Sequence, residues 1–266
     1  MILKYSDKKP WLILIHGLGV SEKTWSAPWE EKVKFISFKT LLKKEKEPVS
    51  LIDRCNGKYN IATWTQNPFG SIDDAATELK DIVSNIENPD FICIAHSRGG
   101  LVARRAIQKY GLQPKVLICL ATPHYGSGLA NSVIKYMPFI RMAVPSIEQN
   151  RPSIDELRTD AGFIRDINSP ENLEKEKLVP HFDICGDTPR YFNWGPINII
   201  GSAQSAFGSR AIDEWKDRTG DGFVSIKSAK SPTTPDSHFY VLPLNHANIL
   251  VNETVFDIIS DILAKY

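Results

Sequence analysis

The chain has 266 residues, of which 42% are hydrophobic and 24% charged, and its formal net charge is +1. A chain of that size and apolar content buries a useful core without needing disulfides or metals. The near-neutral balance excludes a long-range field for nucleic acid or an anionic membrane.

Residues 1–10 are polar, and the apolar run Trp11-Leu-Ile-Leu-Ile15 is too short for a signal segment or a membrane span. A cytoplasmic protein is therefore expected, with a mature secreted form left open. The same run is continuously apolar, as in a strand covered on both faces, and His16-Gly17-Leu18-Gly19 follows it directly. The run Lys43-Lys-Glu-Lys-Glu47 mixes both signs and reads as solvated surface, a weak contact patch being the alternative. Residues 59–64 read as a weaker strand. Residues 71–86 read as a helix opening with Ser71-Ile-Asp-Asp, its Ala75, Leu79, Ile82 and Ile86 following 3.6-residue spacing. A buried strand is predicted at 91–95 and a helix at once after it, on which Gly99, Val102, Ala103 and Ala106 share one small face. Gly111 stops that helix, with Pro114 just beyond. Further strands are read at 115–120, 181–185 and 239–242, and a terminal helix carries Val255, Ile258, Ile259 and Ile262 on one face.

Strands that alternate with helices, without repeats, are the pattern of βαβ units: a mostly parallel central sheet with helices on both faces. Between 125 and 180 the strand signal disappears. The chain is read as one domain, 1–266, whose segment at about 125–180 is a cap or lid over the sheet; ordinary helices packed on the sheet are the plainer alternative. The cysteines at 55, 93, 119 and 185 make no CxxC pair, and Cys93 and Cys119 fall inside apolar runs, so free buried thiols in a reducing compartment are expected.

The chemistry gathers at Ala95-His-Ser97-Arg-Gly99, between a strand and a helix. A serine at so tight a turn stands above the carboxyl edge of the sheet, and small residues two positions to either side are required because larger ones collide with strand or helix. Gly99 is one of them, and Ala95 takes the place of the commoner glycine. A serine that merely caps a helix is the plainer reading. The free N–H groups at the helix start favour an anion beside the serine. Residues 16–19 lie beside such a turn in this geometry, so the main-chain N–H groups of Leu18 and Arg98 are the expected oxyanion donors, with glycines that let the backbone approach a substrate.

A base must come from another loop at the same edge, and in hydrolases of this kind the chain order is serine, acid, histidine. His246 fits, following the strand at 239–242 through Pro243-Leu-Asn245. His238 lies at the wrong end of that strand. His96 is expected to point away from the serine. His16, Gly17, His96, His124 and Tyr125 are candidates to line the substrate site, His16 in a structural role before a catalytic one. Asp221, in the glycine-flanked turn Gly220-Asp-Gly-Phe-Val-Ser225 ahead of a short strand, is the preferred acid; Asp187 after the strand at 181–185 is the competitor.

These blocks resemble bacterial lipases and their relatives in the lipase-like α/β-hydrolase group, which includes the inositol deacylases of the GPI-anchor pathway. His16-Gly-Leu-Gly19 is similar to the oxyanion loop and Ala95-His-Ser-Arg-Gly-Gly100 to the nucleophile motif, with an alanine that several Bacillus lipases share. Thr122-Pro-His-Tyr-Gly-Ser127 resembles the segment after the next strand, and residues 220–225 resemble the acid-bearing segment, which supports Asp221 over Asp187. The likeness is good over about 11–127 and confined to motifs thereafter.

The resemblance implies the α/β-hydrolase fold and hydrolysis of carboxylic esters through an acyl-enzyme, with Ser97, His246 and Asp221 as the triad. The expected partner is a small-molecule or lipid ester, with transient contact to a lipid surface through 125–180, and with no nucleic acid, obligate protein partner, cofactor or metal. Leu129, Val133, Ile134, Met137, Phe139 and Ile140 either line an acyl tunnel or belong to the core. Thioester or amide cleavage by the same triad, and a non-catalytic binding module on the same fold, are the alternatives.

Overall fold

The computed structural model describes residues 1–33, 36–37, 49–55, 57–86, 90–143, 149, 151–189, 193–194, 197–198, 213–216 and 218–266. The first half holds β1 (Ile2–Leu3), β2 (Trp11–Ile15), α1 (Leu51–Cys55), β3 (Asn60–Thr63), α2 (Ile72–Ser84), β4 (Phe91–His96), α3 (Arg98–Tyr110) and β5 (Leu117–Leu120). The second holds α4 (Gly128–Ala143), α5 (Arg151–Asp155), α6 (Gly162–Ile167), α7 (Pro170–Glu176), β6 (His181–Gly186), α8 (Ile226–Ala229), β7 (Phe239–Leu242) and α9 (Glu253–Leu263). The charge run 43–47 lies outside the described residues.

One seven-stranded sheet has the order β1-β3-β2-β4-β5-β6-β7, with β1 antiparallel to β3 and every other pairing parallel. The apolar runs are continuous because the sheet is covered twice. Leu12, Leu14, Ile92, Ile94, Ile118 and Leu120 join a cluster with α1 and α9. Their neighbours Trp11, Ile13, Ile15, Cys93, Ala95, Leu117 and Cys119 join a cluster with α2 and α3, as the two-residue side-chain period requires. All four cysteines are buried and free.

Local signals set the ends of the helices. Ser71 and Asp74 form a reciprocal capping box at the start of α2, and Gly111 closes α3 in the left-handed region at φ 66°. Parallel strands need crossovers, and here the crossovers reverse direction: from β2 the chain steps to β3 on one side, then passes back over β2 to place β4 on the other. The crevice between the carboxyl ends of β2 and β4 is thus the switch point of the sheet, where ligands bind in open α/β folds.

The segment 125–180 divides in two. Its helices α6 and α7 are a layer of the fold, since Leu157, Ile164, Ile167 and Val179 complete the cluster under α2 and α3. This half packs as helices on the layer that covers the sheet. The reason is a buried polar network. Arg104 Nε donates to both carboxylate oxygens of Glu176 at 3.1 and 3.0 Å, with both side chains fully buried. Its Nη2 reaches the Ile167 carbonyl and Asn168 Oδ1, and Gln108 Nε2 also donates to Glu176. Only α4 and α5 are left as cap candidates. In α4 the side chains of Leu129, Val133 and Ile134 are half-buried and Met137 is buried; those of Phe139 and Ile140 lie outside the described ones. No described helix is long and apolar enough to cross a membrane.

Removing one partner of a buried ion pair leaves a bare charge in the core. Glu176→Ala is expected to lower stability by about 3–5 kcal/mol in urea unfolding, as it strands Arg104. His181, buried beside the same network, has its pKa lowered to about 3, by desolvation first and by Arg104 second. The native ring stays neutral while the unfolded one protonates below about pH 6.5, so its contribution is lost as pH falls from there toward 3. His181→Gln should flatten the slope of stability against pH by about 1.4 kcal/mol per pH unit between about pH 6 and 4, read from urea midpoints across that window.

Candidate active site

At the switch point the chain leaves β4 through Ser97, whose backbone sits at φ 54°, ψ −127°. This is a costly conformation for a residue with a side chain, held only where the surroundings over-determine it. Ser97 N–H extends the β4–β5 ladder by bonding Leu120 O at 2.8 Å. A methyl on Gly99 would stand 2.3 Å from Ile15 O and 2.7 Å from His16 O, and one on Gly100 would stand 2.1 Å from Thr122 Oγ1. The helix therefore starts hard against the ends of β2 and β5. Although Ser97 occupies the N-cap position, its side chain makes no capping bond, so capping does not explain it. Ser97 is half-buried, between fully buried neighbours at 96 and 98.

The loop after β2 presses on this turn. A Cβ on Gly17 would lie 2.9 Å from Ser97 Cβ and 3.3 Å from His96 Nδ1. Leu18 follows, and Arg98 is the first residue of α3, where a helix leaves the N–H without an intrahelical acceptor. A side-chain network fixes the loop. Gln66 N–H donates to His16 Nε2 at 3.0 Å, Gln66 Nε2 donates to His16 O at 2.7 Å, and Arg98 Nη1 donates to Gln66 Oε1 at 2.7 Å. His16 Nε2 accepts, so the proton sits on Nδ1, which donates to Gly17 O at 2.7 Å. Burial lowers the His16 pKa and so keeps that neutral tautomer. The ring is structural.

The loop after β7 brings His246 to the same edge. Its Nδ1 lies 2.7 Å from Asp221 Oδ2. Asp221 is buried, and its Oδ1 accepts the N–H groups of Phe223 at 2.9 Å and Val224 at 2.8 Å. Asp187 does not meet an imidazole; its Oδ1 accepts the Thr188 hydroxyl at 3.0 Å. The turn around Asp221 differs from the expected lead-in to a strand: Gly220 and Ser225 form an isolated bridge, and the chain goes straight into α8, because Ser225 caps that helix through Ser228 N–H.

The other histidines part company. His96 is buried with its ring centroid 4.7 Å from that of His246, and its Nε2 donates to His246 O at 3.1 Å. Burial, then the neighbouring His246, hold its pKa well below the usual value. His124 lies under the site: its Nε2 meets Asp183 Oδ1 at 2.9 Å and its Nδ1 meets Arg104 Nη1 at 3.3 Å. Its side chain is fully buried. Tyr125 beside it is exposed. His238 stacks on Phe182 at 3.8 Å, away from Asp221. Cys119, His124 and Asp183 bring their ligand atoms within 4.8 Å of one another. Three donors, one of them a thiol that burial pushes toward its protonated form, with Arg104 against the imidazole, are a poor cation site.

The sequence model of the palmitoyl protein thioesterase family matches residues 12–181, more than half of the chain. The chain belongs to that family. Together with the sheet, this makes it a serine hydrolase of the α/β-hydrolase type. The match ends ahead of Asp221 and His246. Similar solved structures include the mature form of a Bacillus licheniformis lipase (TM-score 0.64, 20% identity, covering 99% of this chain and 95% of that one). A metagenomic carboxyl esterase has TM-score 0.56 and 14% identity over 92% of this chain and 66% of its own. Aspergillus fumigatus lipase B has TM-score 0.56 and 13% identity over 98% and 54%. At such identities these likenesses speak for the fold. No curated protein sequence matches the chain.

Two residues at this family member's site carry no signature in the sequence: Gln66, which joins the 16–18 loop to α3, and Phe223, whose ring stacks on His246 with centroids 5.0 Å apart. Backbone carbonyls cannot yield to an added methyl. Gly99→Ala is thus expected to destabilise by about 1–3 kcal/mol or more. Gly162→Ala, whose methyl meets only Arg165 Nη2 at 3.9 Å, should stay within about 1 kcal/mol of the parent. Paired urea melts compare them.

Proposed function

We propose that the chain hydrolyses carboxylic esters through an acyl-enzyme, with Ser97 as nucleophile, His246 as base and Asp221 as the acid that orients it. The observation that carries this is the 2.7 Å contact between Asp221 Oδ2 and His246 Nδ1, at the sheet edge where Ser97 stands in a strained turn.

An ionised carboxylate only accepts, so His246 Nδ1 bears the proton and Nε2 keeps its lone pair. Two main-chain N–H groups hold Asp221 Oδ1, which leaves Oδ2 for the imidazole. In the proposed reaction Nε2 takes the Ser97 hydroxyl proton as Oγ bonds to the ester carbonyl carbon. The carbonyl oxygen becomes an oxyanion, held by the N–H groups of Leu18 and Arg98. The tetrahedral species collapses, the C–O bond to the alcohol breaks, and His246 returns its proton to the leaving oxygen. Water, deprotonated by His246, then releases the acid and restores Ser97. The substrate is taken to be a small-molecule or lipid ester whose acyl part is read by α4 and α5.

A second reading, cleavage of S-acyl thioesters by the same groups, is favoured by the family match over 12–181. Specificity constants for p-nitrophenyl butyrate, p-nitrophenyl palmitate and palmitoyl-CoA separate the two. The ester reading expects the oxygen esters to be preferred, and a palmitoyl-CoA value far above both would transfer the assignment to thioesters.

Either reading requires Ser97. Ser97→Ala should lose essentially all turnover and all labelling by a fluorophosphonate probe, and undiminished hydrolysis by this variant would falsify the mechanism. Asp221→Asn is expected to lower kcat by about 10⁴ with the fold intact, as the wrong tautomer is then favoured.

A further inference from the structure

The base in the proposed mechanism has a neighbour with no assigned part. The Phe223 ring lies on the His246 imidazole, centroids 5.0 Å apart and planes 29° from parallel. Its position is set from three directions. Phe223 N–H is one of the two donors that hold Asp221 Oδ1. Its carbonyl accepts the Ser127 hydroxyl at 2.7 Å, from the loop that opens α4. Its ring packs against both the α9-side core and the small cluster of Cys185, Val224 and Ala229. One residue therefore orients the carboxylate with its backbone and stacks on the imidazole with its side chain.

We propose that Phe223 is a positioning residue for His246: its ring keeps the imidazole facing Asp221, and its π face favours the imidazolium that forms when Ser97 attacks. The proposal rests on the Ser97–His246–Asp221 reading above. An aromatic face stacks on a neutral ring and attracts a cation more strongly, so the contact strengthens as the proton arrives. Interactions that grow toward the transition state raise kcat, whereas uniform ones change only KM.

The remaining surroundings agree. On the β4 side His246 meets the His96 ring, which burial keeps neutral. On the 220–225 turn it faces Asp221. Glu214 and Cys185, near enough to feel the Asp221 charge, are pushed by burial toward their protonated, uncharged forms. The printed geometry thus gives the imidazolium one carboxylate and one aromatic face.

The test is an isosteric series at Phe223 assayed with p-nitrophenyl butyrate, with Tm measured for every variant. Phe223→Leu should lower kcat by about 2- to 30-fold with little change in KM, the range a cation–π contact spans. Loss of a group that favours the protonated ring should also move the acid limb of its kcat/KM profile to lower pH. Phe223→Tyr and Phe223→Trp should recover most of kcat, which a space-filling role does not explain. Unchanged kcat and acid limb in Phe223→Leu, or equal losses in the leucine and tryptophan variants at matched Tm, would overturn the proposal. Ser97→Ala, run alongside, separates the two levels: if it is inert while Phe223→Leu behaves as the parent, only the role of Phe223 fails; if it stays active, the triad reading fails with it.

Discussion

The arrangement depends on how closely α3 approaches the ends of β2 and β5. No side chain fits at Gly99 or Gly100, because the carbonyls of Ile15 and His16 and the Thr122 side chain already occupy the space. The approach forces the chain to turn within one residue, and the energy for a left-handed serine comes from the small apolar face of α3 buried on the sheet. Two neighbouring parts of the fold are held from this helix. Arg98 on its first turn reaches Gln66 and so fixes the 16–18 loop; Arg104 two turns on secures α6 and α7. A charged residue buried at each point is costly alone, but Arg98 donates through Nη1 and Nη2 to Gln66 and the Gly70 carbonyl, and Arg104 donates to Glu176, Ile167 and Asn168.

The histidines show how one residue type is given different work by burial and partners. His16 and His96 are neutral because desolvation penalises their charge, and each spends its N–H on a main-chain carbonyl that shapes the site. His124 is spent inside the network with Asp183 and Arg104. His246 differs in kind: its Nδ1 faces a carboxylate fixed by two backbone donors, so the proton it gains in the proposed mechanism has a counter-charge waiting. A neutral His96 at 4.7 Å matters for the same reason, since a second imidazolium there would oppose the first.

What the sequence made legible were features that depend on local periodicity or on a forbidden Cβ. Continuous apolar runs marked the doubly covered strands, Ser71 and Gly111 marked helix ends, and Gly99 with Ala95 marked the turn around Ser97. Residues that act across the fold left no such trace. Gln66 stands in an unremarkable loop, and its meaning arises only because β3 sits beside β2. The Asp221 turn looks like a strand entry until Ser225 caps α8. The segment 125–180 reads as one unit because the strand signal stops there, yet Arg104 and Glu176 are 72 positions apart in sequence; a pairing so distant, which packs α7 against α3, has no local signature.

The leaving group remains the chemical choice between the two readings, and the geometry bears on it. A thiolate departs readily, since thiols ionise near neutral pH at about 8.5, whereas an alkoxide needs a proton as the bond breaks. An enzyme for thioesters can tolerate a weak general acid; one for oxygen esters gains from every group that stabilises the imidazolium until it delivers its proton. Around His246 stand a buried carboxylate with its second oxygen already engaged, an aromatic face and a neutral neighbour. In the proposed mechanism the carboxylate and the aromatic face attract the imidazolium as it forms, and the neutral His96 adds no opposing charge. The part of the chain that matches the thioesterase family, 12–181, carries Ser97, the proposed nucleophile, and the 16–18 loop, which would serve either leaving group alike. The part beyond it carries His246, the proposed proton donor, whose surroundings suit the harder departure, and this is why the oxygen ester is placed first.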